Sequence, residues 1–416
     1  MLGNLQELGS IIYLLLPRSF RKFILPVGEP IYQIIKRILQ FVFGTRQAAF
    51  LLKGKNKWGK GDLTLLFYGD EKELAYFSDL LYSERSTKEK LGKVFIWNLK
   101  TLLNSEITGP NMIICAVDIL FLNFLTRQGF IIIPQWVQFL IDLSKPLSEI
   151  WYLSKNQKKS LANDLRKIPK YQYSYEISHN PADFKLFYYE MYRPYALIRY
   201  ENTLILNSYN HMKLIFDKGF LLFIKRRNEY VGGNLIYIDK RIPTIHSLGV
   251  KEGNFKYVQQ GALAALYYFT IHWAKEQGYK WIDFYFARPF LKDGVFHYKR
   301  KLGMEIKRSK KSRTVFGMKI GSLNRGVKDF FANNPFIYLD RGKLKGLTFI
   351  GHNRPFTPRD LQTFYISGID TLVVISPVAI TNQAYKFVGS QSMDKPFLMH
   401  VDPKLFFEDP TNIIED

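Results

Sequence analysis

The sequence predicts an α/β protein with mixed sheets, and three observations carry that prediction. From Ile242 to Gly303 a β-like run, a helical run, an aromatic strand and a short second helical run follow one another. That βαβα order requires neighbouring, largely parallel strands. The helical run, Phe255–Gln277, repeats apolar residues at Ala262, Leu266, Phe269 and Trp273, so one face must be buried. Strand-like and helix-like runs also alternate on both sides of this stretch.

Composition bounds the possibilities. A chain of 416 residues has room for two or three domains, and a 47% hydrophobic share with 23% charged residues excludes a disordered protein. The net charge of +23 favours polyanionic partners: nucleic acid, an anionic membrane surface or phosphate-bearing substrates. Lysines that only keep the protein soluble are the plainer alternative. Cys115 is the single cysteine, which excludes a disulfide framework, and its apolar run MIICAVDILFL suits a buried filler better than a nucleophile.

Taken in order, the chain opens with Ile11–Leu16, an apolar run too short to span a bilayer and without the flanks of a secretory signal. Ile34, Ile35, Ile38, Leu39 and Val42 fall on one helical face with Lys36 and Arg37 off it. From Met1 to Lys60 basic residues outnumber acidic ones by ten to two. The segment reads as an interfacial helix on an anionic membrane, or as a helix packed on the body. Gly54–Asp62 reads as a linker and domain boundary. Strands are expected at Leu63–Tyr68, Lys93–Leu99, Met112–Val117 and Phe130–Pro134, and helices at Glu71–Tyr82, Asp118–Gln128 and Leu147–Ile168.

Further on, helices are expected at Ala182–Tyr192 and Asn207–Lys218. A hairpin follows, Phe220–Lys225 with Tyr230–Asp239, turned at Arg227-Asn228. After the aromatic strand Trp281–Phe286, Asp293 caps a short helix, Val295–Leu302, closed by Gly303. Met304–Arg308 and Arg313–Ile320 read as strands. Beyond Ile320, strands at Phe336–Leu339, Leu347–Ile350 and Thr371–Ile375 and a helix at Thr357–Tyr365 suggest a small α/β appendage with an exposed acidic tail.

The order of two helices, three strands, a long helix, a strand, a short helix and two strands, over roughly residues 171–320, resembles the GNAT acyltransferase fold. WIDFYFARPFLKDGVFHYKRKLGMEI is similar to the Asp-Phe strand, loop and Lys-bearing helix of Fem-type transferases. LANDLRKIPKYQYSYEIS with FKLFYYEMYRPYALIRY is similar to their entry into a second domain. The resemblance implies two tandem GNAT-like domains: a degenerate one at 61–165 and a full one at 166–320, flanked by a basic segment at 1–60 and the appendage at 321–416.

It also implies acyl transfer to an amine, which needs a held donor, oxyanion stabilisation and removal of a proton. The donor loop corresponds to Tyr257–Ala262, with Gln259, Gln260, Gly261 and Ala262 as donor-binding candidates. This loop has one glycine and no basic residue at the expected spacing. Counting back four from Gly303 gives Lys299, with Tyr298 adjacent: a cation for donor phosphate or oxyanion, or else one member of a solvated basic run. Tyr195 and Arg199 share a face if the helix continues past Pro194, and the resemblance places them near substrate. His246 and Asp283 are the candidate bases, unless they are structural hydrogen-bonders. No histidine shows metal-ligand spacing, and no Walker loop, nucleophile elbow or His-Glu-x-x-His helix occurs.

The leading expectation is an N-acyltransferase taking an acyl thioester, acyl-CoA or acyl carrier protein, as co-substrate without a bound cofactor, and an amine acceptor such as an envelope or polysaccharide precursor. The second is an aminoacyl-tRNA-dependent transferase of Fem type, although the long helical-hairpin arm of several such enzymes does not interrupt the chain. A non-catalytic relative that binds membrane or nucleic acid is the third. Location is expected to be cytoplasmic, with peripheral contact at the inner face of the membrane.

Overall fold

In the computed structural model, residues 45–59, 61–83, 86–98, 109–150, 155–200, 206–350, 354–384 and 397–414 are described. The N-terminal amphipathic segment and His352 lie outside them.

The first group of elements is β1 (Arg46–Lys55), β2 (Asp62–Gly69), α1 (Glu71–Leu81), β3 (Thr87–Phe95), β4 (Met112–Asp118), α2 (Leu122–Arg127) and β5 (Ile131–Pro134). A second group follows: β6 (Val137–Asp142), α3 (Lys155–Leu165), β7 (Tyr173–Ser178), α4 (Pro181–Leu186), α5 (Arg193–Tyr200), α6 (Tyr209–Phe216), β8 (Gly219–Arg226), β9 (Glu229–Asp239), β10 (Ile242–Val250), α7 (Phe255–Gln259), α8 (Ala262–Glu276) and β11 (Trp281–Ala287). The last comprises α9 (Gly294–Lys301), β12 (Glu305–Arg308), β13 (Thr314–Ile320), α10 (Arg325–Asn333), β14 (Phe336–Asp340), β15 (Lys343–Phe349), α11 (Pro358–Phe364), β16 (Thr371–Ile375), β17 (Phe397–Val401) and α12 (Pro403–Glu408).

Two compact units share the chain. One takes Phe139–Tyr285 and Lys301–Met304; the other takes the described part of Ile34–Gln138, with Phe286–Arg300 and Glu305–Asp416. The second unit is built on a ten-stranded sheet in the order β17-β16-β15-β14-β5-β13-β4-β2-β1-β3. Every residue of β4 is buried, as a continuous apolar run at the centre of a sheet requires, and Cys115 is among them. Phe67, Phe77, Phe316, Phe330 and Phe336 belong to its core.

Three expectations are revised in this unit. Gly54–Asp62, read as a linker, is instead the turn region of the β1-β2 hairpin, with Lys55 opposite Asp62. A Gly/Lys-rich composition suits a tight turn as well as a linker. Arg46–Lys55 is accordingly a strand, and not part of a helical N-terminal segment. The residues after Ile320 do not stand apart, because Leu339 of β14 pairs with Ile132 of β5 and extends the sheet.

The first unit carries the earlier part of the order expected from the GNAT resemblance, two helices, three strands, a long helix and a strand, while most of α9 and the strands β12 and β13 fall in the second unit. Its sheet runs β6-β11-β10-β9-β8-β7. The strands from β7 to β10 pair antiparallel, and β10 with β11, joined across α7 and α8, is parallel. The βαβα stretch thus has its expected parallel neighbours, β10 and β11, and the expected hairpin turned at Arg227-Asn228 has antiparallel ones. Leu147–Ile168, read as one helix, is helical at Leu147–Ile150, through α3 and again from Lys167, with Arg166 between the last two.

Phe255–Gln277 is likewise not one helix. Gly261, at φ 95°, breaks it into α7 and α8, and a Cβ there would sit 2.7 Å from Cβ of Lys167. The apolar period runs through the break, so periodicity alone does not detect it. Between α4 and α5 the backbone makes a wider π-type turn, Phe187–Tyr192, and lies directly on Gly249 of β10. A Cβ on Gly249 would come within 2.4 Å of the Tyr192 backbone nitrogen.

Candidate active site

Strands β10 and β11 are in register at a single pair, Thr244 with Asp283. Past that pair both strands depart from regular geometry. His246 is the extra residue of a bulge, since Ile245 pairs with Ile236 while Ser247 pairs with Leu235. On the other strand Tyr285 adopts a left-handed φ of 60°, and its N–H donates to Oδ1 of the buried Asp283 at 2.8 Å. A tyrosine in that region is strained, and the carboxylate bond supports it.

The two irregularities bring the rings of His246 and Tyr285 to 5.2 Å between centroids. His211, near the start of α6, lies 5.9 Å from His246, and Tyr237 of β9 lies 6.4 Å away. Nδ1 of His246 is 2.8 Å from Oγ of Ser247. All five side chains are half-buried. The Ser247 hydroxyl helps to fix the orientation of the His246 ring. Ser247, Tyr285, His211 and Tyr237 were not legible as site residues: only a bulge and a left-handed turn gather them.

A second cluster lies at the start of α8. Arg226, the last residue of β8, donates from Nη1 to Oε1 of Gln260 at 2.7 Å, and its guanidinium sits 5.1 Å from the Tyr171 ring centroid. Tyr173 pairs with Arg226 across β7 and β8. Its hydroxyl is buried and has no hydrogen-bond partner among the described residues. Burial pushes this hydroxyl up to about 12, with Arg226 pulling the other way, so it stays a neutral donor at physiological pH. Strand β8 thus places a cation, Arg226, against the Tyr257–Ala262 loop through space, which spacing along the loop cannot reveal. Of the four donor-loop candidates Gln260 is bonded to Arg226, Gln259 is exposed, and Gly261 and Ala262 are buried.

Lys299, on α9, is buried, and its Nζ donates to the carbonyl of Phe286 at 2.8 Å. Asp293 caps this helix through the N–H groups of Val295 and Phe296, as expected. The run Lys299-Arg300-Lys301 is not a solvated face: Arg300 donates to Thr363 O, and Lys301 pairs with Asp164 at 2.5 Å. Tyr298 is half-buried. The helix does continue past Pro194, with Tyr195 buried and Arg199 exposed.

Immediately after β11, Arg288 is held between the rings of Trp136 and Tyr76, 4.0 and 4.2 Å from their centroids. Its Nη1 lies 2.9 Å from Oε2 of Glu73, although the two are not aligned as a hydrogen bond. Oε1 of Glu73 accepts from Gln135 at 2.7 Å, and Gln135 in turn accepts from Ser312 at 2.9 Å. Burial raises the Tyr76 hydroxyl well above its usual range.

No protein-family model matches the chain, and no curated protein does. Among solved structures it is similar to FemX, at 13% identity over 68% of this chain and 86% of that one, with a TM-score of 0.33. It is similar to L-PGS from Bacillus licheniformis, at 11% identity over 67% of this chain and 87% of that one, TM-score 0.32. A GCN5-related N-acetyltransferase from Sphaerobacter thermophilus gives 12% identity over 67% and 78%, TM-score 0.30. The solved structures similar to this chain thus include Fem-type and GNAT proteins, the group its motifs resemble.

Proposed function

We propose that the chain is an N-acyltransferase that moves an acyl group from a thioester donor, acyl-CoA or acyl carrier protein, to an amine. The single observation carrying this reading is the parting of β10 and β11 after Thr244 and Asp283, where a bulged His246 and a left-handed Tyr285 meet. In this reading the amine nitrogen attacks the donor carbonyl carbon, His246 takes the proton the amine loses, and the sulfur leaves with the bonding pair. Tyr285 hydrogen-bonds the reacting groups. Asp283 acts through the Tyr285 backbone and is a positioning residue rather than a base. Arg226, the Tyr173 hydroxyl and the free N–H groups at the start of α8 hold donor phosphate. Lys299 supplies positive charge beside the end of β11. The acceptor is an envelope or polysaccharide precursor, and the protein works in the cytoplasm with its N-terminal segment on the inner face of the membrane.

A Fem-like reading, with aminoacyl-tRNA as donor, draws on one specific observation. The ring of Tyr171 is flanked by Lys170 and Arg226, at 5.5 and 5.1 Å, an arrangement that suits a stacked base with its phosphate.

Retention of labelled donors separates these readings. Acyl thioester should be held, and Arg226→Ala should weaken it about tenfold, or ~1.4 kcal/mol, through loss of a charge-assisted bond. Retention of charged tRNA alone would favour the second reading, and retention of neither a non-catalytic relative. With the best donor, His246→Ala should lower kcat by roughly a hundredfold.

A further inference from the structure

Strand β3 forms one edge of the ten-stranded sheet and ends in a tight turn, Ile96–Asn98. The turn is pinned: Ile96 N donates to Thr45 O at 2.8 Å, and the buried Tyr68 hydroxyl lies within bonding distance of the Thr45 and Val94 carbonyls, at 3.3 and 3.2 Å. Ile96 points inward, whereas Phe95 and Trp97 on either side are 37% and 55% exposed. Their rings are stacked, with centroids 5.2 Å apart and planes within 11°. The guanidinium of Arg46 lies 5.2 Å from the Phe95 centroid.

A bulge sets which charges share this face. Gly92 pairs with Ala49 and Lys90 with Phe50, leaving Leu91 over, so Lys88, Lys90, Lys93 and Phe95 all face the side of Arg46. Lys88 pairs with Glu71 at 3.1 Å, while no carboxylate of the described residues pairs with Arg46, Lys90 or Lys93. Lysines and a bulge on an edge strand also deter edge-to-edge pairing. That role does not account for a rigid, stacked aromatic pair held open to solvent beside three uncompensated cations.

Tryptophan beside lysine and arginine matches the headgroup layer of an anionic bilayer, where amphipathic rings and cations both gain. Chain connectivity favours the same partner. The apolar and basic segment Ile31–Phe43 enters the fold at Thr45, whose carbonyl is the acceptor for Ile96. We propose that Arg46, Lys90, Lys93, Phe95 and Trp97 form a docking corner for an anionic phospholipid surface. The choice of partner rests on the membrane reading of residues 1–43, and the corner stands independently of the acyltransferase chemistry.

The test uses the full chain with vesicles of phosphatidylcholine alone or mixed with phosphatidylglycerol. Binding should require phosphatidylglycerol and fall with salt. The double variant Phe95→Ser/Trp97→Ser should lose about tenfold in partition, as should Arg46→Glu/Lys93→Glu, with melting temperatures unchanged because these side chains are at the surface. Lys36→Glu/Arg37→Glu tests the N-terminal segment separately. If that variant loses binding while both corner variants bind like the unmodified chain, the corner proposal is overturned and the N-terminal reading survives. Preferential binding to single-stranded polyuridine, lost in the aromatic variant, would also overturn it in favour of a nucleic-acid platform.

Discussion

Lys299→Met should lower kcat by about a hundredfold, roughly 3 kcal/mol, if its ammonium stabilises charge that grows in the transition state. Methionine is the informative replacement because Lys299 is buried and bonded to the Phe286 carbonyl. Alanine would add a packing loss and confuse stability with catalysis. Lys299→Arg should rescue only in part, since a planar fork replaces a point charge. Lys301 cannot serve as the control for lost positive charge, because it is ion-paired with Asp164. Exposed Lys328 can, and Lys328→Ala should leave kcat unchanged. Equal activity of Lys299→Met and the unmodified chain, at matched folded fraction and with every donor, would sink the assignment.

Glu73→Ala should cost about 3–5 kcal/mol of stability, the range for removing one partner of a buried ion pair. The loss would leave the Arg288 guanidinium confined between Trp136 and Tyr76 without a countercharge. Replacing both partners, Glu73→Ala with Arg288→Met, should recover much of that loss, because the buried charge is then gone as well. Denaturant unfolding of the two single variants and the double variant measures the coupling directly. Strictly additive losses would mean that the pair does not act as a unit.

What could be read from the sequence divides along a physical line. The strands β8 to β11, the cap at Asp293 and the turn at Arg227-Asn228 are local, fixed by alternation, capping chemistry and turn chemistry within a few residues. His246, Lys299 and the donor loop could be pointed to only through the resemblance. Arg226 could not, since it reaches Gln260 from a strand 34 residues earlier in the chain. Nor could Tyr285, whose left-handed backbone is set by Asp283 and is invisible in an aromatic run that reads as plain strand. Strand β1 and the placement of β14 were missed for a related reason. Turn and linker share a composition, and sheet neighbours are chosen by long-range pairing.

That pairing has a consequence for how the protein is made. β4 and β5 are close in the chain, yet they do not touch as neighbours, because β13 inserts between them and pairs with both. Until Thr314–Ile320 emerges, β4 has no partner on one side, leaving the backbone N–H and C=O groups of that edge and the apolar side chains of Met112–Val117 uncovered by β13. At ordinary synthesis rates the gap between β5 and β13 lasts roughly 10–40 s. The nascent chain therefore carries an incomplete sheet for longer than small β-rich domains take to fold.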